Sequence, residues 1–269
     1  MASPSPTISS EHDRLAAPLG ELRRRGRRAL IPYLTAGYPS PGDTAGLLDT
    51  LADAGADVIE LGVPFSDPVA DGPTIQRASF AALEQGVTLA WTLDTLAAFR
   101  QRRDVPVVIF SYLNPVLGYG VERFIADAVA AGASGVLLTD LPAGADPALE
   151  AAFQDSPLAF IRLVAPTTPR DRLGEIAAAA QGFLYYVGRM GVTGASAALR
   201  TETLEEVQAL RAMTDVPVAV GFGVATAEHA ARLAAVADGV IVGSAIIDAL
   251  DRDGRPGVAR LMKELRAAV

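Results

Sequence analysis

The chain contains no cysteine, which rules out disulfides and thiol catalysis. That absence is in keeping with a cytoplasmic location. There is a single lysine, Lys263, near the C-terminal end. A Schiff-base mechanism needs a lysine in a pocket, and that position does not suit one. The two histidines, His12 and His229, sit at unrelated positions. A catalytic zinc usually takes several, so no metal site is expected. No apolar run reaches the roughly 18 residues of a membrane helix. The opening MASPSPTISS lacks the charged-then-apolar order of a signal peptide, and residues 1–14 read as a disordered tail. A net charge of −8 gives no support for nucleic-acid binding. Chemistry is therefore left to carboxylates, hydroxyls and backbone amides.

What is present is an alternation of short apolar runs with longer amphipathic ones. That order signals βα units around a parallel sheet. Strands are expected at Ala29–Leu34, Val58–Gly62, Val107–Ser111, Gly135–Thr139, Ala159–Val164, Phe183–Val187, Val218–Gly221 and Gly239–Val242. Eight of them in 269 residues suit a (βα)8 TIM barrel, whose usual length is about 250. The rival, an open doubly wound sheet, is weakened by the lack of GxGxxG after the first strand. The chain reads as one barrel domain over 1–269. An N-terminal helix in Glu21–Arg28 would cover its floor, and extra short helices would sit on its rim. Helix starts are signposted by Ser40-Pro41 with Asp43, Asp146-Pro147, and Thr168-Pro169 with Asp171. Thr203 with Glu206 reads as a capping box. The repeated phrases AGADVIELG at 54–62 and AGASGVLLTD at 131–140 each join a helix end to a buried strand. Pro32 is awkward in a central strand, which wants every amide.

The stretch Asp57–Pro73, DVIELGVPFSDPVADGP, carries the sharpest signal. Glu60 lies inside an apolar run, where a carboxylate is costly unless paired, neutralised or used. It reads either as a structural partner for a buried arginine such as Arg162, or as an acid/base whose pKa burial has raised. Asp67 reads as a turn-maker. Asp71, in the loop after the same strand, is open to both readings. Glycine turns at Gly191–Gly194, Gly221–Val224 and Gly243–Ala245 follow the last three strands. Bare amides and a helix N-terminus suit a phosphate without any lysine. Tyr33, Phe110 and Phe222 suit a flat apolar group at strand ends, and Tyr185 offers a hydroxyl. Tyr112 is assigned to packing or loop support.

These motifs carry a family likeness. ELGVPFSDPVADGPTIQ at 60–76, LTAGYP at 34–39, LTDLP at 138–142, APTTP at 165–169, GVTG at 191–194, GFGV at 221–224 and GSAI at 243–246 resemble the tryptophan synthase alpha chain, in order, from about residue 15 to 268. The resemblance implies a lyase that cleaves indole-3-glycerol phosphate into indole and glyceraldehyde 3-phosphate. It implies Glu60 as the acid/base and Asp71 as the holder of the indole N–H. It places Tyr185 near the substrate and Thr193 in a closing loop, within reach of Asp71. It gives Gly194, Gly223, Gly243 and Ser244 the phosphate. It also implies a beta-chain partner in an α2β2 heterotetramer, with pyridoxal phosphate in that partner only and no cofactor in this chain. Partner contacts are expected at loop 63–71, Asn114-Pro115 and Leu141-Pro142. Gly188 and Met190 flank Arg189 where many members carry a serine and another small residue, a mild departure. The alternatives are a stand-alone lyase, another phosphosugar barrel, and a catalytically silent phosphate-binding subunit.

Overall fold

Eight parallel strands pair in chain order and close on themselves. They are β1 (Ala29–Thr35), β2 (Ile59–Gly62), β3 (Val107–Ser111), β4 (Gly135–Leu138), β5 (Ala159–Val164), β6 (Leu184–Val187), β7 (Val218–Gly221) and β8 (Gly239–Val242). The computed structural model describes residues 13–188, 201–221 and 223–269. Strand ends agree with the sequence reading to within one residue. Pairing of β1 with β8 excludes the open sheet.

Every strand is apolar on both faces, because helices cover the outside and other strands face the inside. Successive residues still divide between the two. Ile31, Val58, Val108, Leu137, Phe183 and Ile241 pack within the barrel. Their neighbours Leu30, Ile59, Val107, Val136 and Val240 pack outward, against the helices. Those helices are α1 (Asp13–Arg24), α2 (Thr44–Asp53), α3 (Pro73–Glu84), α4 (Leu89–Arg100), α5 (Leu113–Tyr119), α6 (Val121–Ala130), α7 (Pro147–Gln154), α8 (Arg170–Ala179), α9 (Thr201–Ala212), α10 (Ala227–Ala234) and α11 (Ser244–Ala268). Leu15 and Leu19 of α1 join the inner cluster, so this helix does plug the floor. It starts earlier than the charged stretch Glu21–Arg28 suggested, because its apolar positions lie upstream.

Pro32 has a physical account. On its β2 side the ladder begins only at Tyr33 opposite Glu60, past the missing amide. The amide of Leu30 is taken instead by the Asp57 carboxylate at 2.8 Å. Arg266 of α11 pairs with that same carboxylate and ties the C-terminal helix to the barrel.

Three local readings need correction. Thr203 lies inside α9 and caps nothing; Glu206 accepts from the Tyr186 hydroxyl. Ser40-Pro41 opens a 3-10 turn at Pro41–Asp43, with α2 following from Thr44. Thr168 spends its hydroxyl on the Ala165 amide at 3.0 Å, and α8 has no side-chain cap. The Asp146 cap is as read, accepting from the Leu149 amide at 3.1 Å.

Candidate active site

Because all strands run parallel, their carboxyl ends share one rim, where barrel ligands bind. Glu60 sits on β2, two residues beyond Val58 and on the same inward face. It has no solvent exposure. Neither carboxylate oxygen has a hydrogen-bond partner. Burial alone pushes its pKa up to about 8, because an ionised carboxylate without water or a counter-charge is costly. The side chain is therefore a carboxylic acid at neutral pH.

The Arg162 pairing is overturned. Arg162 lies on the outward face of β5 and bonds Glu150 of α7 at 2.7 Å. Its guanidinium stacks on Phe160, 4.1 Å from the ring centre. Glu150 uses its other oxygen to accept from the Gly144 amide at 2.6 Å. This ion pair belongs to the shell outside the barrel, and it leaves Glu60 alone inside.

The loop from β2 to α3 brings Asp71 to the rim, and it is a braced loop. The Phe65 amide donates to Ser79 Oγ at 2.7 Å, and that hydroxyl donates back to the Phe65 carbonyl at 3.0 Å. The Gln76 side chain donates to the Asp71 carbonyl at 2.9 Å. The Ala70 amide donates to the Tyr112 hydroxyl at 2.9 Å. Tyr112 packs its ring on Phe65 at 5.0 Å. Burial raises the Asp71 carboxyl to about 6, and the polar Tyr112 hydroxyl partly opposes that rise. Asp67 is a turn residue as read, accepting from Ser66 Oγ at 2.6 Å.

Two tyrosines complete the space between the acids. Tyr33 pairs directly across from Glu60 and meets Phe110 edge to face at 5.2 Å. Burial, then the Asp71 charge, raises its phenol far above the usual range. Tyr185 of β6 feels burial first, then the charges of Glu60 and Asp71. All four groups thus address one volume. Each tyrosine leans over a glycine of the next strand. A Cβ on Gly62 would lie 2.2 Å from the Tyr33 oxygen, and one on Gly221 would lie 2.1 Å from that of Tyr185. These glycine seats were missed in the sequence. Their only signal was a glycine at the end of the strand beside each tyrosine.

On the β7–β8 side, Gly223 has φ +49, a conformation that favours glycine. Gly243 is the N-cap of α11, which begins at Ser244. The first amides of α11 have no partner within the helix and point to the same rim. Thr193, Gly194 and Phe222 lie outside the described residues, as does His12. A surface hollow of about 450 Å3 along the outer side of α3 is lined by neither Glu60 nor Asp71. Among the described residues no cluster of histidine and acid side chains could hold a metal ion.

Comparison with known proteins agrees with this geometry. The family model for the tryptophan synthase alpha chain matches residues 19–267. The tryptophan synthase alpha chain of Geobacter sulfurreducens is 46% identical over 261 residues, covering 95% of this chain and 98% of that one. That of Xylella fastidiosa is 50% identical over 230 residues, covering 85% and 86%. Among solved structures, tryptophan synthase from M. tuberculosis in its aminoacrylate-bound form superposes with a TM-score of 0.86 at 39% identity, covering 95% of this chain and 99% of that one. Subunit alpha from Legionella pneumophila gives 0.84 at 38%, covering 95% and 97%. With a buried unpaired acid at the rim of a closed barrel and relatives matched along nearly its whole length, the chain belongs to the tryptophan synthase alpha chain family.

Proposed function

We propose that this barrel carries out the alpha reaction of tryptophan synthase, the retro-aldol cleavage of indole-3-glycerol phosphate, through Glu60 and Asp71. One observation carries the assignment of roles: Glu60 is wholly buried on the inner face of β2 and both its oxygens lack partners. A structural carboxylate would be paired; this one keeps its proton and can give it away.

The steps follow from that state. Protonated Glu60 donates to the indole ring carbon that bears the glycerol chain, and the ring becomes an electron sink. Asp71, ionised above about pH 6, accepts the indole N–H and stabilises the positive charge that ring protonation creates. Glu60, now a carboxylate in an apolar wall, takes the proton of the adjacent glycerol hydroxyl. The C–C bond breaks, its electron pair restores the indole ring, and the aldehyde forms. Glu60 ends as it began, so the reaction needs neither lysine nor metal. Tyr33, Phe110 and Tyr185 would line the indole pocket, with Phe222. Gly223, Gly243 and Ser244 would hold the phosphate by amides and helix dipole, with Thr193 and Gly194 closing over it.

The same reading makes the whole chain one barrel domain, located in the cytoplasm and partnered by a beta chain in an α2β2 assembly. Pyridoxal phosphate would belong to that partner. Val69 in the β2–α3 loop and Leu117 of α5 are exposed at 84% and 51%. They stand beside the segments expected to meet the partner and give them apolar area to bury. The silent-subunit reading has no account of the unpaired Glu60.

The test is indole release from indole-3-glycerol phosphate. Glu60→Gln should lose turnover by about a thousandfold or more while binding glycerol 3-phosphate nearly as well. Near wild-type turnover in that variant defeats the assignment.

A further inference from the structure

We infer that Asp251 is a positioning residue for the reaction. Its carboxylate clamps α3 to α11 and to the loop after β1. The clamp fixes the start of α3, where the Asp71 loop ends, against the Gly243 turn. The inference rests on the reading of Asp71 and the Gly243 turn as two ends of one substrate site.

Helical spacing shows the join. Ser244, Asp248 and Asp251 stand at i, i+4 and i+7 along α11 and share one face. Thr74 and Arg77 stand three apart on α3. The two faces meet. Asp248 accepts from the Thr74 hydroxyl at 3.3 Å. Asp251 accepts from the Arg77 guanidinium at 2.7 Å. Ile75, between these two in the chain, lies against the Gly243 turn: a Cβ on Gly243 would sit 3.4 Å from its Cδ1.

Asp251 uses both its oxygens. The second accepts from the Tyr38 hydroxyl, in the loop after β1. That loop also meets the far end of α3, where the Gln85 side chain donates to the Pro39 carbonyl at 3.0 Å. Tyr38 and Pro39 close the LTAGYP motif, and neither takes part in the proposed chemistry. A single exposed ion pair contributes little. A carboxylate that joins three elements, with Thr74 and Ile75 beside it, limits how α3 can slide. Because α3 starts at Pro73, two residues after Asp71, a shift of its first turn carries Asp71 with it. Misplacement by about 1 Å can cost about a hundredfold in rate.

The test compares Asp251→Ala and Arg77→Met with Arg102→Met. Arg102 pairs with Asp49 of α2 at 3.2 Å, an ion pair of similar exposure on other elements. In both clamp variants kcat for indole release should fall about tenfold. Affinity for glycerol 3-phosphate should stay within about twofold, and urea midpoints should be no lower than that of Arg102→Met. Arg77→Lys should recover part of the rate. Hydrogen exchange reads the clamp without turnover. The Ala70 amide bonds the Tyr112 hydroxyl at 2.9 Å, and the Asp71 amide bonds the Pro68 carbonyl at 3.1 Å. Both should exchange faster in the clamp variants and at the parent rate in Arg102→Met. Parent kcat in both clamp variants, unchanged exchange in both, or phosphate affinity lost in step with kcat overturns the inference. Full turnover in Asp71→Asn would instead defeat the catalytic reading of Asp71, and the exchange rates would still report on the clamp.

Discussion

Glu60 and Arg162 are both ionisable and both buried on strands, and the barrel treats them oppositely. Arg162 faces outward and pairs with Glu150 at 2.7 Å. Glu60 faces inward, has no counter-ion, and keeps its proton. That choice has a thermodynamic signature. Below the ordinary carboxyl value of 4.5, folded and unfolded chains both hold the proton. Between there and about 8 the folded chain holds a proton that the unfolded chain has released. Stability therefore falls as pH rises through this window, and the whole cost is present above it. Glu60→Gln removes that cost. At pH 9 the variant should be more stable than the parent by roughly 3–5 kcal/mol, with little difference at pH 5, by urea unfolding at each pH. A variant less stable at pH 9 would mean that Glu60 has a partner after all. The sequence made an acid in an apolar run visible. It did not show the face, since residues on both sides of such a strand are apolar and the alternation is hidden.

Elements were legible where local chemistry sets them and obscure where distant contacts do. The eight strands stood out as apolar runs between turn signals. Helix α5, LNPVLGY, has a proline and a glycine within seven residues and reads as a loop. It forms where Asp140, 27 residues on, accepts the amide of Leu113. Gly254, at φ 63 and ψ −159, breaks α11 into two helical segments. The tyrosine seats are likewise a property of neighbouring strands. Gly62→Ala should destabilise the fold by about 1–3 kcal/mol through overpacking, since its Cβ would meet the Tyr33 oxygen at 2.2 Å and two ring carbons at 2.5 and 2.7 Å. Adding Tyr33→Leu should restore most of that loss, and Tyr33→Phe should not, because the ring carbons still collide. Equal rescue by both, measured by urea midpoints, would show that the hydroxyl alone makes the contact.

At the scale of the whole molecule, closure is what assembles the chemistry. Glu60 comes from β2, Tyr185 from β6 and the Gly243 turn from the end of β8. Only a barrel closed by β1 against β8 brings that first acid and that last turn to one rim. The motifs at 60–76 and 243–246 were legible singly, but their convergence depends on closure, which no local pattern encodes. The rim also bears the exposed Val69 and Leu117, so a partner seated there would bear on the Asp71 loop. Indole release should rise about tenfold or more when a tryptophan synthase beta chain is added. Equal rates with and without it would favour a stand-alone lyase. The central claim remains the proton on Glu60, and infrared difference spectroscopy of the free chain, titrated from about pH 5 to about pH 10, reads it directly. The predicted result is a carboxylic acid band that persists through neutrality, converts to carboxylate near pH 8, and is missing from Glu60→Gln. A Glu60 already ionised at the acid end of that range would contradict the mechanism.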